Sequence, residues 1–189
     1  MGKVVSADRA MDGSDVPGFG RRILVFTGDG KGKTTAALGL VLRACGCGLR
    51  CRVVQFVKNR ACGEHHALEF LPGVRVTMHG LGFVPKEPGP ARDRHVRAAT
   101  DGWNEALSAL ADPGIDMLVL DELCTALGLG LVDPSAVAAP ILASKVPIVV
   151  ATGRGAPSEI VGIADTVTEM RMVKHALETG VPATRGVEW

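Results

Sequence analysis

A short apolar run, Ile23-Leu24-Val25-Phe26, leads directly into Thr27-Gly28-Asp29-Gly30-Lys31-Gly32-Lys33-Thr34-Thr35. That order asks for a buried strand, a tight glycine turn and the first turn of a helix in immediate succession. Glycines let successive backbone N–H groups turn inward on one anion, and the following helix points its positive end at the same spot. Lys33 adds a full charge there, and Thr34 offers a hydroxyl to the magnesium that accompanies a triphosphate. A nucleoside triphosphate is therefore the first ligand the sequence suggests. The usual spacing G-x-x-x-x-G-K-[ST] would put a glycine at position 27, where this chain has Thr27.

A chain of 189 residues with 47% hydrophobic and 22% charged content fits one soluble globular domain. A net charge of +1 supplies no broad basic field for nucleic acid. No apolar run reaches the roughly 18 residues that span a bilayer, and the start Met1 to Arg9 lacks a secretory apolar core, so no membrane association and a cytoplasmic location are expected. Cys45, Cys47, Cys51, Cys62 and Cys124 form an odd set without paired C-x-x-C spacing, which argues for reduced thiols.

Residues 1–21, rich in glycine with Asp15 and Pro17, read as a flexible lead-in to one domain over residues 22–189. From Arg22 onward, short β-branched runs alternate with helical stretches, which predicts an α/β fold with a mostly parallel sheet flanked by helices. Strands are expected at Ile23 to Phe26, Val53 to Val57, Val74 to Met78, Met117 to Leu120, Ile148 to Ala151 and Thr166 to Thr168. Helices are expected at Lys33 to Cys45, Ala91 to Leu110 and Pro134 to Ser144, the last capped by Asp133, with a further helix starting near Ala156. Lys58 to Pro90, with four prolines, reads as a loose, substrate-facing segment.

Met117 to Leu120 ends in Asp121-Glu122, which a parallel sheet places at the same carboxyl edge as the glycine loop. Carboxylates there can hold magnesium directly or through its waters. Thr152-Gly153-Arg154-Gly155 repeats the geometry with a cation on a glycine-flanked turn, so Arg154 can reach a phosphate. Cys62, Glu64, His65 and His66 are too closely bunched for common zinc spacings. Trp103 reads as a core or interface anchor. Phe83 in its proline-rich loop is either a lid over a ligand or a plug into the core, and spacing does not choose.

With these residues in place, the chain resembles the P-loop ATP:corrinoid adenosyltransferases, also described as cob(I)yrinic acid a,c-diamide adenosyltransferases. The resemblance rests on the glycine loop from Thr27 to Thr35, Val54-Gln55-Phe56-Val57-Lys58, Gly63-Glu64, Gly82-Phe83, Val119 to Leu123 and Thr152 to Gly155. Ala164 to His175, Gly180-Val181 and Gly186 to Trp189 extend it. It implies a single P-loop NTPase-like (RecA-like) domain. It further implies transfer of the 5′-deoxyadenosyl group of ATP to the Co(I) of a corrinoid, cob(I)alamin or cob(I)yrinic acid a,c-diamide, with release of triphosphate, in adenosylcobalamin biosynthesis or salvage.

By this resemblance Gly28, Asp29, Gly30, Lys31, Gly32, Lys33, Thr34 and Thr35 hold the phosphates with Arg154. Lys33, Glu122 and Arg154 serve the reaction, while Thr34 and Glu122 hold magnesium (or manganese) with Asp121 as a close or outer partner. Gly82 and Phe83 meet the corrinoid, Phe83 lying against the lower face of the ring. Relatives commonly carry tryptophan two places further on, where this chain has Pro85. A homodimer and an electron donor, reduced flavin or a flavoprotein, are also implied. The main rival is a P-loop ATPase or kinase that cleaves the terminal phosphate. A second is a corrinoid or nucleotide carrier without turnover.

Overall fold

The structure is a computed structural model and describes residues 20–188. The expected flexible lead-in lies, up to residue 19, outside the described residues. Strands β1 (Arg22–Thr27), β2 (Cys51–Gln55), β3 (Val74–Met78), β4 (Met117–Asp121), β5 (Ile148–Thr152) and β6 (Thr166–Glu169) form one sheet in the order β3-β2-β4-β5-β1-β6. Every neighbouring pair is parallel. All six expected strands are present, with ends moved by a residue or two.

Side-chain alternation explains the layers. In β4, Met117 and Val119 join Ala37, Val41 and Ala44 of α1 (Lys33–Gly46), whereas Leu118 and Leu120 join Trp103, Ala106 and Leu110 of α3 (Pro90–Leu110). Helix α2 (Gly63–Leu68) contributes Leu68 to the first layer. Helices α4 (Leu123–Gly128), α5 (Ala138–Leu142) and α6 (Ser158–Val161) contribute Leu123, Ile141 and Ile160 to the second. Trp103 is 8% exposed and belongs to this core, as its position in the long helix suggests.

Two expectations require correction. The helix expected from Pro134 to Ser144 is a 3-10 turn at Pro134–Ala136 followed by α5. Pro140 explains the break, because it has no N–H for the Ala136 carbonyl and its ring crowds that group. Asp133 caps the turn as expected, with Oδ1 accepting from the Ser135 N–H at 2.9 Å. The segment from Lys58 to Pro90 is less loose than its prolines suggest, since it holds α2 as well as β3. Among the described residues no helix is long and apolar enough to cross a membrane.

Candidate active site

The carboxyl ends of β1, β2, β4 and β5 deliver Thr27, Gln55, Asp121 and Thr152 to one edge of the sheet. There the loop between β1 and α1 lines a cavity of about 600 Å³ together with Lys58, Glu64, Glu122, Arg154, His175 and Gly186 to Glu188. The structure therefore brings together Asp29 to Thr35, Glu122 and Arg154, which lie far apart in sequence.

The loop glycines admit a neighbouring segment. Gly28 has φ +92, and a side chain there would come within 2.4 Å of the Met170 carbonyl oxygen. A side chain on Gly30 would meet the same residue at 2.7 Å. The chain leaving β6 thus lies flat on the loop, fixed by the Gly30 N–H donating to the Met170 carbonyl at 2.7 Å. Thr27, the departure from the usual spacing, also has a use: its hydroxyl accepts the Ala156 N–H at 3.1 Å. That bond ties the phosphate loop to the turn carrying Arg154, and a glycine could not make it.

Lys33 is 8% exposed and donates to the carbonyls of Gly28 and Gly30, both at 2.7 Å. Burial pulls its ammonium below the ordinary lysine range; Glu122 opposes that shift and Arg154 adds to it. Among the described residues the Arg154 guanidinium makes no ion pair. Lys31 pairs with Glu188 at 3.1 Å, so the chain's last described turn closes one wall of the cavity.

Asp121 is fully buried, and four groups donate to it. Thr34 Oγ1 and Thr152 Oγ1 reach Oδ1 at 2.9 and 2.7 Å, while Gln55 Nε2 and Lys58 Nζ reach Oδ2 at 2.9 and 3.2 Å. Glu122 follows in a left-handed backbone conformation, φ 62, which costs a residue with a Cβ about 1–2 kcal/mol. Its N–H donates to Thr152 Oγ1 at 2.9 Å, and its Oε2 accepts from Thr125 Oγ1 at 2.5 Å. Thr125 Oγ1 in turn accepts the Arg154 N–H at 3.0 Å. A side chain on Gly153 would strike the Thr125 nitrogen at 2.5 Å, so the Arg154 turn and the start of α4 fit only through glycine. Threonine hydroxyls thus join the phosphate loop, both acids and the Arg154 turn.

Behind Asp121 runs a second layer. The Cys62 N–H donates to His65 Nδ1 at 2.9 Å, which leaves the ring proton on Nε2 to face Gln55 Oε1 at 2.6 Å. Gln55 is thereby oriented with its amide nitrogen toward Asp121. Lys33, Gln55, His65, Asp121 and Thr152 are all of the buried polar side chains among the described residues. Buried polar groups are costly unless bonded, and this protein concentrates every one of them here. Sequence reasoning named Lys33 and Asp121 but gave no role to Gln55, Lys58, Thr125 or Thr152. A lone amide ending the apolar strand at Gln55 was the available signal.

The Sγ of Cys62, a Glu64 oxygen and a His65 nitrogen do lie within 4.8 Å of one another. Both His65 nitrogens are already bonded, however, so a metal there would have to break either the Cys62 cap or the bond to Gln55. The thiols take no part in the cavity wall: burial raises Cys51 to about 11 and Cys124 to about 12. Gly82 and Phe83 do not line the cavity either. Phe83 is 87% exposed on the loop after β3, held out by the Gly82 N–H donating to the Val57 carbonyl at 2.9 Å. Arg92 steadies the same loop by donating to the Pro85 carbonyl at 2.8 Å.

Residues 20–189 match the model of the ATP:corrinoid adenosyltransferase family BtuR/CobO/CobP. The chain belongs to this family. A corrinoid adenosyltransferase of Pseudomonas aeruginosa is 41% identical over 170 residues, 88% of this chain and 83% of the relative. The corrinoid adenosyltransferase CobA of Salmonella typhimurium is 40% identical over 169 residues, 88% and 85% of the two chains. The corrinoid adenosyltransferase of Escherichia coli is 39% identical over 171 residues, again 88% and 85%. For the corrinoid adenosyltransferase family the match runs well beyond the phosphate loop, through the Arg154 turn and into the wall at Gly186 to Glu188.

Proposed function

We propose that this chain transfers the 5′-deoxyadenosyl group of ATP to the Co(I) of a corrinoid and releases inorganic triphosphate, in adenosylcobalamin biosynthesis or salvage. One observation carries the reading: the family match covers the whole cavity wall and not the phosphate loop alone, as a mere shared loop would. In the reaction the cobalt electron pair forms a bond to the 5′ carbon while the bond from that carbon to the α-phosphate oxygen breaks. The bonding pair leaves with triphosphate, and cobalt becomes formally Co(III).

Because the attacking atom belongs to the substrate, the protein's work is alignment and charge neutralisation. The amides of the Gly28 to Thr35 loop, apart from the Gly30 N–H that Met170 holds, and the Lys33 ammonium receive the phosphates, and Arg154 closes on them from the β5 turn. Lys33, Glu122 and Arg154 are the groups assigned to the reacting end. Hard oxygen donors at Thr34, Glu122 and Asp121 suit magnesium or manganese, and a bound cation would add positive charge beside the leaving group. The Thr34 to Asp121 bond at 2.9 Å fits Thr34 and Glu122 as direct ligands with Asp121 behind them. Phe83, exposed on the same edge as Gly82, offers its ring to the lower face of the corrinoid. An apolar surface there keeps an axial donor away and makes Co(II) easier to reduce by an external donor such as reduced flavin or a flavoprotein. A homodimer is the assembly proposed.

The test is product analysis. Protein, ATP, magnesium and a chemically reduced corrinoid should yield triphosphate and a light-sensitive adenosylated corrinoid. Release of ADP and phosphate instead would assign the chain to the ATPases or kinases.

A further inference from the structure

Lys58 follows β2 at the cavity edge, and its ammonium occupies an unusual position. Nζ lies 3.2 Å from Thr34 Oγ1, 3.2 Å from Asp121 Oδ2 and 3.8 Å from Glu64 Oε1. Thr34 is one of the two direct ligands that the proposed function gives to a divalent cation, and Asp121 stands behind it. At Thr34 Oγ1 a lysine ammonium and a small hard cation seek the same oxygen, and a cation–oxygen distance of about 2.1 Å leaves no room for both. We propose that Lys58 is a tethered placeholder for the divalent cation, seated on the Thr34–Asp121 pair before loading and displaced toward Glu64 when the metal and triphosphate arrive. The inference deepens the proposed function and rests on its metal assignment.

The physical logic has three parts. Asp121 is fully buried, and a carboxylate left without a facing cation there would be expensive. Lys58 supplies that charge, whereas the neutral donors Thr34, Thr152 and Gln55 supply only hydrogen bonds. Lysine also suits departure, because its compact charge sits on a flexible four-carbon stem and does not make the fixed bidentate grip of arginine. Finally, Glu64 at the start of α2 lies 3.8 Å from the ammonium and gives it a second anion to face after displacement. The same lysine then stays near the cavity, where triphosphate adds further negative charge.

The experiment measures free Mn2+ by its electron paramagnetic resonance signal while the ion is titrated into the full chain, without nucleotide or corrinoid. Lys58→Met and Lys58→Gln should each bind Mn2+ roughly tenfold more tightly than wild type, since a competing charge has been removed from the site itself. Lys58→Arg should stay near wild type or weaker. Lys31→Met alters net charge equally but removes a lysine paired with Glu188, and it should shift the affinity much less. Equal or weaker Mn2+ binding in both neutral variants overturns the proposal. So does a gain in Lys31→Met as large as theirs, which would mark a general field and not competition for one place. Adding ATP should close most of the gap between wild type and Lys58→Met; a gap that persists unchanged would show that the ammonium does not move aside, and would also overturn it. The nucleotide-free titration can fail while adenosyl transfer stands, and product analysis of the wild type decides the latter separately.

Discussion

Thr152 offers the sharpest test of how the acidic pair is held. Its hydroxyl donates to Asp121 Oδ1 at 2.7 Å and accepts the Glu122 N–H at 2.9 Å, and the residue is fully buried. Thr152→Val keeps the shape and removes both bonds. Loss of a hydrogen bond to a charged group costs about 1.5–3 kcal/mol, and a buried N–H left unpaired costs about 1–3 kcal/mol. Relaxation of the left-handed Glu122 backbone, no longer tied down, offsets about 1–2 kcal/mol of this. The net destabilisation should be about 2–4 kcal/mol, which for a chain of this size lowers Tm by about 4–16 °C. Urea unfolding and calorimetry of wild type, Thr152→Val and Thr152→Ser would measure it, with the serine variant recovering most of the loss. A valine variant within about 1 kcal/mol of wild type, or a serine variant as unstable as valine, would refute the argument that this hydroxyl joins the two acids.

Lys33→Ala should lower kcat/KM for transfer by about a hundredfold or more, measured by triphosphate release, because it removes a charge proposed to receive the phosphates; near-normal turnover would take the loop out of the chemistry. Phe83→Ala should leave stability within about 0.5 kcal/mol, since the ring is exposed. It should slow reaction from Co(II) more than from prereduced Co(I), and equal losses would argue against an axial-ligand role. Burial alone would raise Glu105, but hydrogen bonds from His79 at 2.6 Å, Thr77 at 2.9 Å and Arg52 at 3.0 Å outweigh it and hold the carboxyl below its ordinary value of 4.5. Its stabilising contribution is therefore present above pH 4.5 and lost as pH falls through the lowered value. Urea midpoints of wild type and Glu105→Gln should converge on acidification; a constant difference would refute it.

The strands were legible because a buried parallel sheet writes itself as short β-branched runs, and the phosphate loop because glycine, lysine and threonine at fixed spacing have few other uses together. Helix α2 was not legible. It has six residues, too few for a period to repeat, and its cap is Cys62 answered by His65 instead of the usual serine or aspartate and glutamate. Half of the site was hidden for a related reason. Asp121 and Glu122 stand side by side in sequence, yet one is buried under four donors while the other turns left-handed beside Thr125 and Thr152. Local sequence names the acids; only the register between β2, β4 and β5 brings Gln55 and Thr152 to them. Phe83 was tied to the corrinoid only through family resemblance, and the structure leaves it exposed on the loop after β3.

The contact of Met170 with Gly28 and Gly30 has a consequence for biosynthesis. The loop follows β1, whereas the segment lying on it follows β6, so a chain that has not yet reached β6 lacks the partner that fixes the Gly30 N–H. Nascent protein would hold the loop in its final shape only once β6 inserts beside β1.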